Sequence, residues 1–513
     1  MANTLRIPRA HLIMALILPL AVILGYFIVD PLEPSSLTVL GLVLAALALP
    51  LMMQWYHPLL ILFWNAAMSP SFLPGQPPLW IPVAVVGLLI SLLNRAVNEK
   101  ARFITVPAIT RSLICLLLVV FVTAYFTGGI GSQIFGSSTF GGRRYFYILM
   151  AAVGYFVLTN QRIPARRATL VASLFFLSSL TALVPDLLGM AGSANSFLYI
   201  IFPPDFSSVE AASGESASYE IYRIFGLTAS SAGLLFGLLV RYGIRGVFAP
   251  GKIWRAGLLF LAFGACLYSG FRSFLVLMML VFAVQFFLEG LHRTRALAVM
   301  FGVGMVGLAL ILTQAERLPM VVQRTLSVLP VNISSVAKLS ADSSSEWRLA
   351  MWKALLPEIP KHLLLGKGFS INATDLYFSG DKSNLAQESF HWAIVTGDYH
   401  NGPLSVIIPF GIWGLLAFGW FCWASLQYLY QNYKHGPPEF RIINTFLLSC
   451  FVGRLIFFLL VFGGFYSDLY LFTGLIGLSV SLNGVGQPQR EAPESQIAEE
   501  DSAALDADRD NYP

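Results

Sequence analysis

The sequence predicts an all-α polytopic membrane protein, and three observations carry that prediction. The 513-residue chain is 56% hydrophobic and only 12% charged, with mean hydropathy +0.71. An ordinary soluble domain carries about 25% charged residues. Apolar runs of about 17 or more residues recur along the chain, long enough to cross a bilayer as helices. Lys and Arg gather in alternate short connections, the bias that sets orientation in a cytoplasmic membrane. The net charge of +5 is therefore an orientation signal, and no nucleic-acid partner is expected. Cys115, Cys266, Cys422 and Cys450 all fall inside apolar runs, so no disulfide framework is implied.

In chain order the pattern gives about fourteen spans, or twelve if the shortest fail. They lie at roughly 11–29, 35–53, 56–69, 79–94, 109–127, 144–160, 168–190, 224–241, 253–269, 272–289, 296–313, 403–430, 441–461 and 466–482. Arg6 and Arg9 before an apolar run imitate a signal peptide. No small-x-small site follows, so the run reads as a retained first helix. With the N-terminus in the cytoplasm, the inner connections hold Arg95, Lys100, Arg102 and Arg111, then Arg162, Arg166 and Arg167. Further on they hold Arg241, Arg245, Lys252 and Arg255, then Arg293 and Arg295, then Lys434 and Arg441. The outer connections at 30–36 and 69–78 hold no Lys or Arg. Both termini then face the cytoplasm of a cytoplasmic (inner) membrane.

Four units follow: the first eleven spans (1–313), an outer, periplasmic segment (314–402), the last three spans (403–483), and a tail (484–513). The tail carries eight acidic residues against Arg490 and Arg509 and reads as disordered and cytoplasmic. A second outer stretch, 191–222, is rich in Ser and Ala and contains Glu210, Glu215 and Glu220. Four arginines defy the charge bias by standing outside: Arg143, Arg144, Arg223 and Arg272. Each has either a packing and head-group use or a binding use. Arg454 lies inside a span, where an ionisable residue marks function or an interhelical pair; Asp186 is a candidate partner.

The outer segment is mainly helical by its pattern. From 343 to 365, Trp347, Met351, Trp352 and Leu355 recur at helical spacing, with Ser343, Ser344 or Ser345 as the cap. Arg348 and Trp352 share a face, and Pro357 and Pro360 end the run. Gly366-Lys367-Gly368 is a glycine turn, a weak phosphate signal without the lysine–serine ending of a nucleotide loop. The segment holds eight basic and eight acidic residues, so any anion site in it must be local. Three of the seven histidines are here: His362, His391 and His400. A lone histidine is more often structural than catalytic. His400, however, stands at the water–membrane boundary between glycines. It precedes Asn401-Gly402-Pro403, which suits a side chain presented at a helix start. An ordinary histidine pKa of about 6.5 suits a general base near neutral pH. His391 is its rival on physical grounds.

Read together, these residues resemble the O-antigen ligase and O-antigen polymerase family of polytopic membrane glycosyltransferases. The resemblance rests on Arg223-Ile-Phe-Gly226, Ser269-Gly-Phe-Arg272 and Glu346-Trp-Arg348 with Trp352. Leu364-Leu-Gly366-Lys-Gly368 and His400-Asn401 followed by Phe410-Gly411-Ile-Trp-Gly414 complete it. It covers roughly residues 220–430. One departure is Thr228-Ala-Ser-Ser231 where the family's proline–asparagine is expected.

The resemblance implies transfer of a glycan from an undecaprenyl-diphosphate-linked donor to an acceptor hydroxyl on the outer face. The acceptor would be a glycolipid or a lipid-linked glycan. It also implies that His400 is the general base and that Arg223, Arg272 and Arg348 bind the diphosphate, with Asn401, Trp347, Trp352 and His391 as possible supports. The chemistry suits the residues. A lipid diphosphate needs cationic forks, which arginine supplies bidentately. With arginines carrying that charge, neither a metal nor a cofactor is called for. Trp347, Trp352 and Trp392 have the shape to stack on sugar rings, although core packing is the commoner use of tryptophan. A reading of a different class, a lipid-linked oligosaccharide flippase or another transporter, draws on the span count and Arg454.

Overall fold

In the computed structural model, residues 34–97, 104–129, 141–203 except 192, 223–371 except 328, 330 and 331, and 391–484 are described, with 18, 19, 21, 22 and 25. Most of the expected first span, most of the 191–222 stretch, residues 372–390 and nearly all of the acidic tail therefore lie outside the described residues, as do the side chains of His391 and Trp392. The described residues form helices and connections, with no strand among them.

The helices of the first part of the chain are α1 (Pro34–Phe63), α2 (Trp80–Val97), α3 (Pro107–Thr127), α4 (Gly142–Leu158), α5 (Ala165–Leu177) and α6 (Leu183–Ala191). After these come α7 (Phe225–Val247), α8 (Ile253–Tyr268), α9 (Arg272–Leu288) and α10 (Arg295–Gln314). The 314–402 segment contributes α11 (Met320–Leu326), α12 (Ser335–Leu355), α13 (Glu358–Lys361) and α14 (His391–Thr396). The chain returns through α15 (Gly402–His435), α16 (Arg441–Leu460) and α17 (Phe465–Asn483). Among the described residues, seven helical stretches are long and apolar enough to cross a membrane, and three further apolar helices are shorter. A multi-pass membrane protein follows from these helices.

Two boundaries differ from the sequence expectation. The spans expected at 35–53 and 56–69 share one 30-residue helix, α1. The helix runs on through the expected break at 54–55, and the polar residues just after it are buried and bonded: His57 Nε2 lies 2.8 Å from the Leu158 carbonyl. Asn160 and Gln161 donate to the Tyr56 hydroxyl. The outer helix α12 starts at Ser335, eight residues before the expected 343. Its cap is Ser334, whose Oγ accepts from the Ala337 amide at 3.2 Å. Ser343 and Ser345 sit inside the helix and return their hydroxyls to the Ser340 and Ala341 carbonyls.

The core is built of large aromatic and branched side chains where α17 packs on α4, α15 on α3, α16 on α9, and α7 on α5 and α8. By contrast, α10 buries none of its residues, which suits a helix surrounded by lipid.

The outer segment is seated into this bundle through its glycine turn. The Lys367 and Gly368 amides donate to the Ile408 and Pro409 carbonyls at 2.8 and 2.9 Å. The Phe369 amide donates to the Tyr145 hydroxyl at 2.8 Å. Gly366 has φ +82 and Gly368 φ +69, and a Cβ on Gly366 would collide with the Pro409 carbonyl. The glycines thus serve close backbone approach, and the turn's amides are spent inside the protein instead of on a phosphate. Gly366→Ala combines a left-handed backbone with that collision. It should cost upwards of about 1–3 kcal/mol, read as a lower thermal midpoint of the detergent-solubilised protein.

Candidate active site

His400 is positioned by the tight turn 397–401, which joins α14 to α15. Gly397 takes φ +70 and His400 itself φ +50, an unusual value for a residue with a side chain. Asn401 is the N-cap of α15, its Oδ1 accepting from the Leu404 amide at 3.0 Å, with Pro403 in the first turn. Its role here is to fix where the helix starts. Trp352 holds the turn from the other side: Nε1–H donates to the Tyr399 carbonyl at 2.9 Å. A small apolar cluster of Met351, Leu355, Ala393, Tyr399, Leu404 and Ile408 locks α12 against α14 and α15. The half-exposed conformation of His400 is thus imposed by its surroundings.

Trp352 was a candidate for sugar stacking; in the structure it holds the backbone beside His400. Trp352→Phe keeps the ring and loses the N–H donor. The expected result is a loss of about 1 kcal/mol of stability and a fall in turnover with substrate affinity kept, read from a kcat and KM comparison.

The His400 ring lies 5.5 Å from the Trp347 ring and 5.0 Å from the Phe462 ring, centroid to centroid. Its Nδ1 faces Asp398 Oδ1 at 3.7 Å, which leaves Nε2 for a substrate proton. Burial lowers the pKa of His400 from its ordinary value near 6.5. The Asp398 carboxylate works against that shift, and the Arg348 cation adds to it. The imidazole is therefore neutral, as a base must be, throughout the neutral pH range.

Arg348 lies over the same Phe462 ring, its guanidinium carbon 5.5 Å from the centroid. Its own pKa is lowered by burial first and then by the charges of Arg272 and Arg223. Three cations from three parts of the chain are thus close enough to repel. Arg272 opens α9 after the left-handed Gly270 turn (φ +82). It reaches up to α12, donating to the Ala341 carbonyl at 3.0 Å and to Ser345 Oγ at 2.6 Å. Arg223 is tied to the same hairpin, because the Ile224 amide donates to the Ser269 carbonyl at 3.0 Å. Its guanidinium stands 5.9 Å from the Phe271 ring centroid. The Asp342 carboxylate acts on Arg272, and a bound diphosphate would add negative charge where three cations meet.

The structure brings together His400, Arg348, Arg272, Arg223 and Trp347 out of the residues expected from the sequence. His362 stands apart from them, paired with Glu358 at 3.5 Å. Two participants were not anticipated. Asp398 lies 3.7 Å from His400 Nδ1 and acts on it by charge, and the GDYHN string could have suggested it as a carboxylate two residues from a histidine. Phe462, one of 40 phenylalanines, carried no sequence signal at all. Removing Asp398 takes away the influence that raises the His400 pKa. In Asp398→Asn the acid limb of a pH–rate profile should therefore move to lower pH, and a rise would contradict the pairing.

Residues 257–419 match the family model described as O-Antigen ligase. That stretch holds Arg272, Arg348 and His400, and Arg223 precedes it. No curated protein and no solved structure matches the chain.

Proposed function

We propose that this chain, O-antigen ligase-like over residues 257–419, is a membrane glycosyltransferase that moves a glycan from an undecaprenyl-diphosphate-linked donor to an acceptor hydroxyl. The family match supports a glycosyl-transferring membrane enzyme of polysaccharide biosynthesis, acting on lipid-linked glycan and lipid A-core type substrates. The observation that carries the finer reading is the convergence of Arg223, Arg272 and Arg348 beside a half-buried, neutral His400.

Each group has a role in one displacement step. The acceptor oxygen attacks the anomeric carbon while His400 Nε2 takes its proton. The bond from that carbon to the diphosphate oxygen breaks, and the lipid diphosphate leaves with the electron pair. The three guanidinium groups neutralise the charge that develops on the leaving oxygen. Asp398 stabilises the imidazolium that results. A single displacement inverts the anomeric centre.

The test is a reconstituted reaction with purified full-length protein, a lipid-linked oligosaccharide donor and a glycolipid acceptor. Formation of an extended acceptor with inverted linkage is the expected result. Retained configuration would exclude direct attack, and full activity in an Arg223→Gln, Arg272→Gln double variant would exclude the diphosphate site.

A further inference from the structure

The geometry points to a second anion subsite at the Gly397 end of the 397–401 turn, built on Arg144 with Arg143, which binds a phosphate or carboxylate group carried by the acceptor. This inference rests on the glycosyl-transfer reading above and assigns the second substrate its place.

Arg144 is held firmly. Its guanidinium carbon is 5.0 Å from the Tyr466 ring centroid and 5.5 Å from that of Phe369. Phe369 belongs to the glycine turn and Tyr466 to the first turn of α17, so two separate parts of the fold fix this one cation. Its Nη1 is buried and has no hydrogen-bond partner among the described residues. Buried donors are satisfied in roughly nine cases out of ten. This one lies beside the turn that presents His400, because a Cβ on Gly397 would sit 3.5 Å from it. Among the described residues Arg144 belongs to no ion pair, and Asp398, the carboxylate of that turn, faces His400.

The start of α4 strengthens the case. Arg143 and Arg144 occupy its first turn, which contains no acid, and its N-cap Gly141 contributes no side-chain bond. A helix N-terminus already carries partial positive charge, so cations there are disfavoured. A bound anion turns that cost into attraction. Arg143 is exposed, over the Tyr147 ring at 5.5 Å, and can follow a ligand.

Reaction geometry says which substrate belongs here. Direct displacement places nucleophile and leaving group on opposite sides of the anomeric carbon. The donor's diphosphate has the Arg348 cluster at the His400 end of the turn. Arg144 stands at the Gly397 end of the same turn, which leaves it for the remainder of the acceptor whose hydroxyl His400 deprotonates. The anion is either a phosphate on the acceptor's lipid or core sugars, or the carboxylate of an acidic sugar in the acceptor.

Two measurements decide the matter. In the reconstituted reaction, Arg144→Gln should raise KM for a phosphorylated acceptor by about 10- to 100-fold, as loss of one charge-assisted hydrogen bond predicts. Donor KM should stay within about twofold. The same acceptor after phosphatase treatment should lose the difference between variant and wild type. If the difference survives dephosphorylation but disappears in an acceptor whose acidic sugars are reduced to neutral ones, the carboxylate is the ligand. A difference that survives both treatments, or a rise in donor KM, overturns the proposal. The second measurement needs no turnover: the rise in thermal midpoint caused by glucose 1-phosphate. It should shrink in Arg144→Gln, persist in part in Arg348→Gln, and vanish in the double variant. An undiminished rise in Arg144→Gln also overturns the subsite. Should the wild type transfer no glycan, the glycosyl-transfer reading fails, and this second measurement still judges the anion site. If Arg144→Gln does not fold, Arg144→Lys, which keeps the charge and loses the fork, should show a smaller change in the same direction in both measurements.

Discussion

Glutamine at position 400 is expected to lower kcat by about 10²–10⁴-fold, the range a positioned general base contributes. The donor's KM should hardly change, because His400 does not belong to the arginine cluster. Glutamine is the informative substitution because it keeps the bulk and one polar end against Trp347 and Phe462 while removing basicity. The wild-type profile gives the second signature. Burial and Arg348 keep the imidazole pKa below its ordinary value. The neutral, active form then persists as pH falls past 6.5 and is lost only as pH drops through the lowered value. In His400→Gln that acid limb should be absent. Wild-type turnover in the variant, or an acid limb that survives it, would remove His400 from the mechanism and bring His391 forward.

Arg348→Gln should be the next most damaging change, lowering kcat/KM for the donor by about 10²–10³-fold, as removal of one preorganised charge donor does elsewhere. It is a cleaner probe than Arg272, whose guanidinium also ties α9 to α12 through Ala341 and Ser345. Arg348 acts twice, and the two effects separate by pH. Its cation lowers the His400 pKa, so its removal should move the acid limb to higher pH. That is opposite to the shift expected for Asp398→Asn. A loss of activity without that shift would mean that Arg348 binds substrate without bearing on the base. A stability gain in the variant is also expected, because Arg348 is half-buried among like charges. It would appear as a higher thermal midpoint in the absence of donor.

Much of this was legible in the sequence, for reasons that can be named. The helices were legible because bilayer crossing demands long apolar runs, and most expected spans coincide with helices to within a few residues. Arg223 and Arg272 stood out because outer-side arginines run against the charge bias. Their meeting with Arg348 was not legible, since helix packing brings together residues about 50 to 125 positions apart. Phe462 was invisible because one aromatic residue in an aromatic-rich membrane chain looks like any other. The glycine turn was read for phosphate and proved to be a packing device, since sequence shows which residues permit a close approach and not what approaches. In α1, a break was expected at 54–55, but burying Tyr56 and His57 against Asn160, Gln161 and the Leu158 carbonyl lets one helix run through it.

The break inside α15 bears on how the protein is assembled. At Gly411 the backbone leaves the helical region (φ +63), two residues after Pro409. The Ile412 amide, which an unbroken helix would send to Ile408, goes instead to the Leu363 carbonyl at 2.7 Å. The carbonyls of Ile408 and Pro409 take their partners from Lys367 and Gly368. Lipid offers no substitute for those bonds. The first part of α15 therefore cannot settle until the preceding segment has folded back onto it. Folding of that segment and completion of the bundle are one event. Residues 314–402 produced alone as a soluble fragment would lack the template that shapes the turn bearing His400.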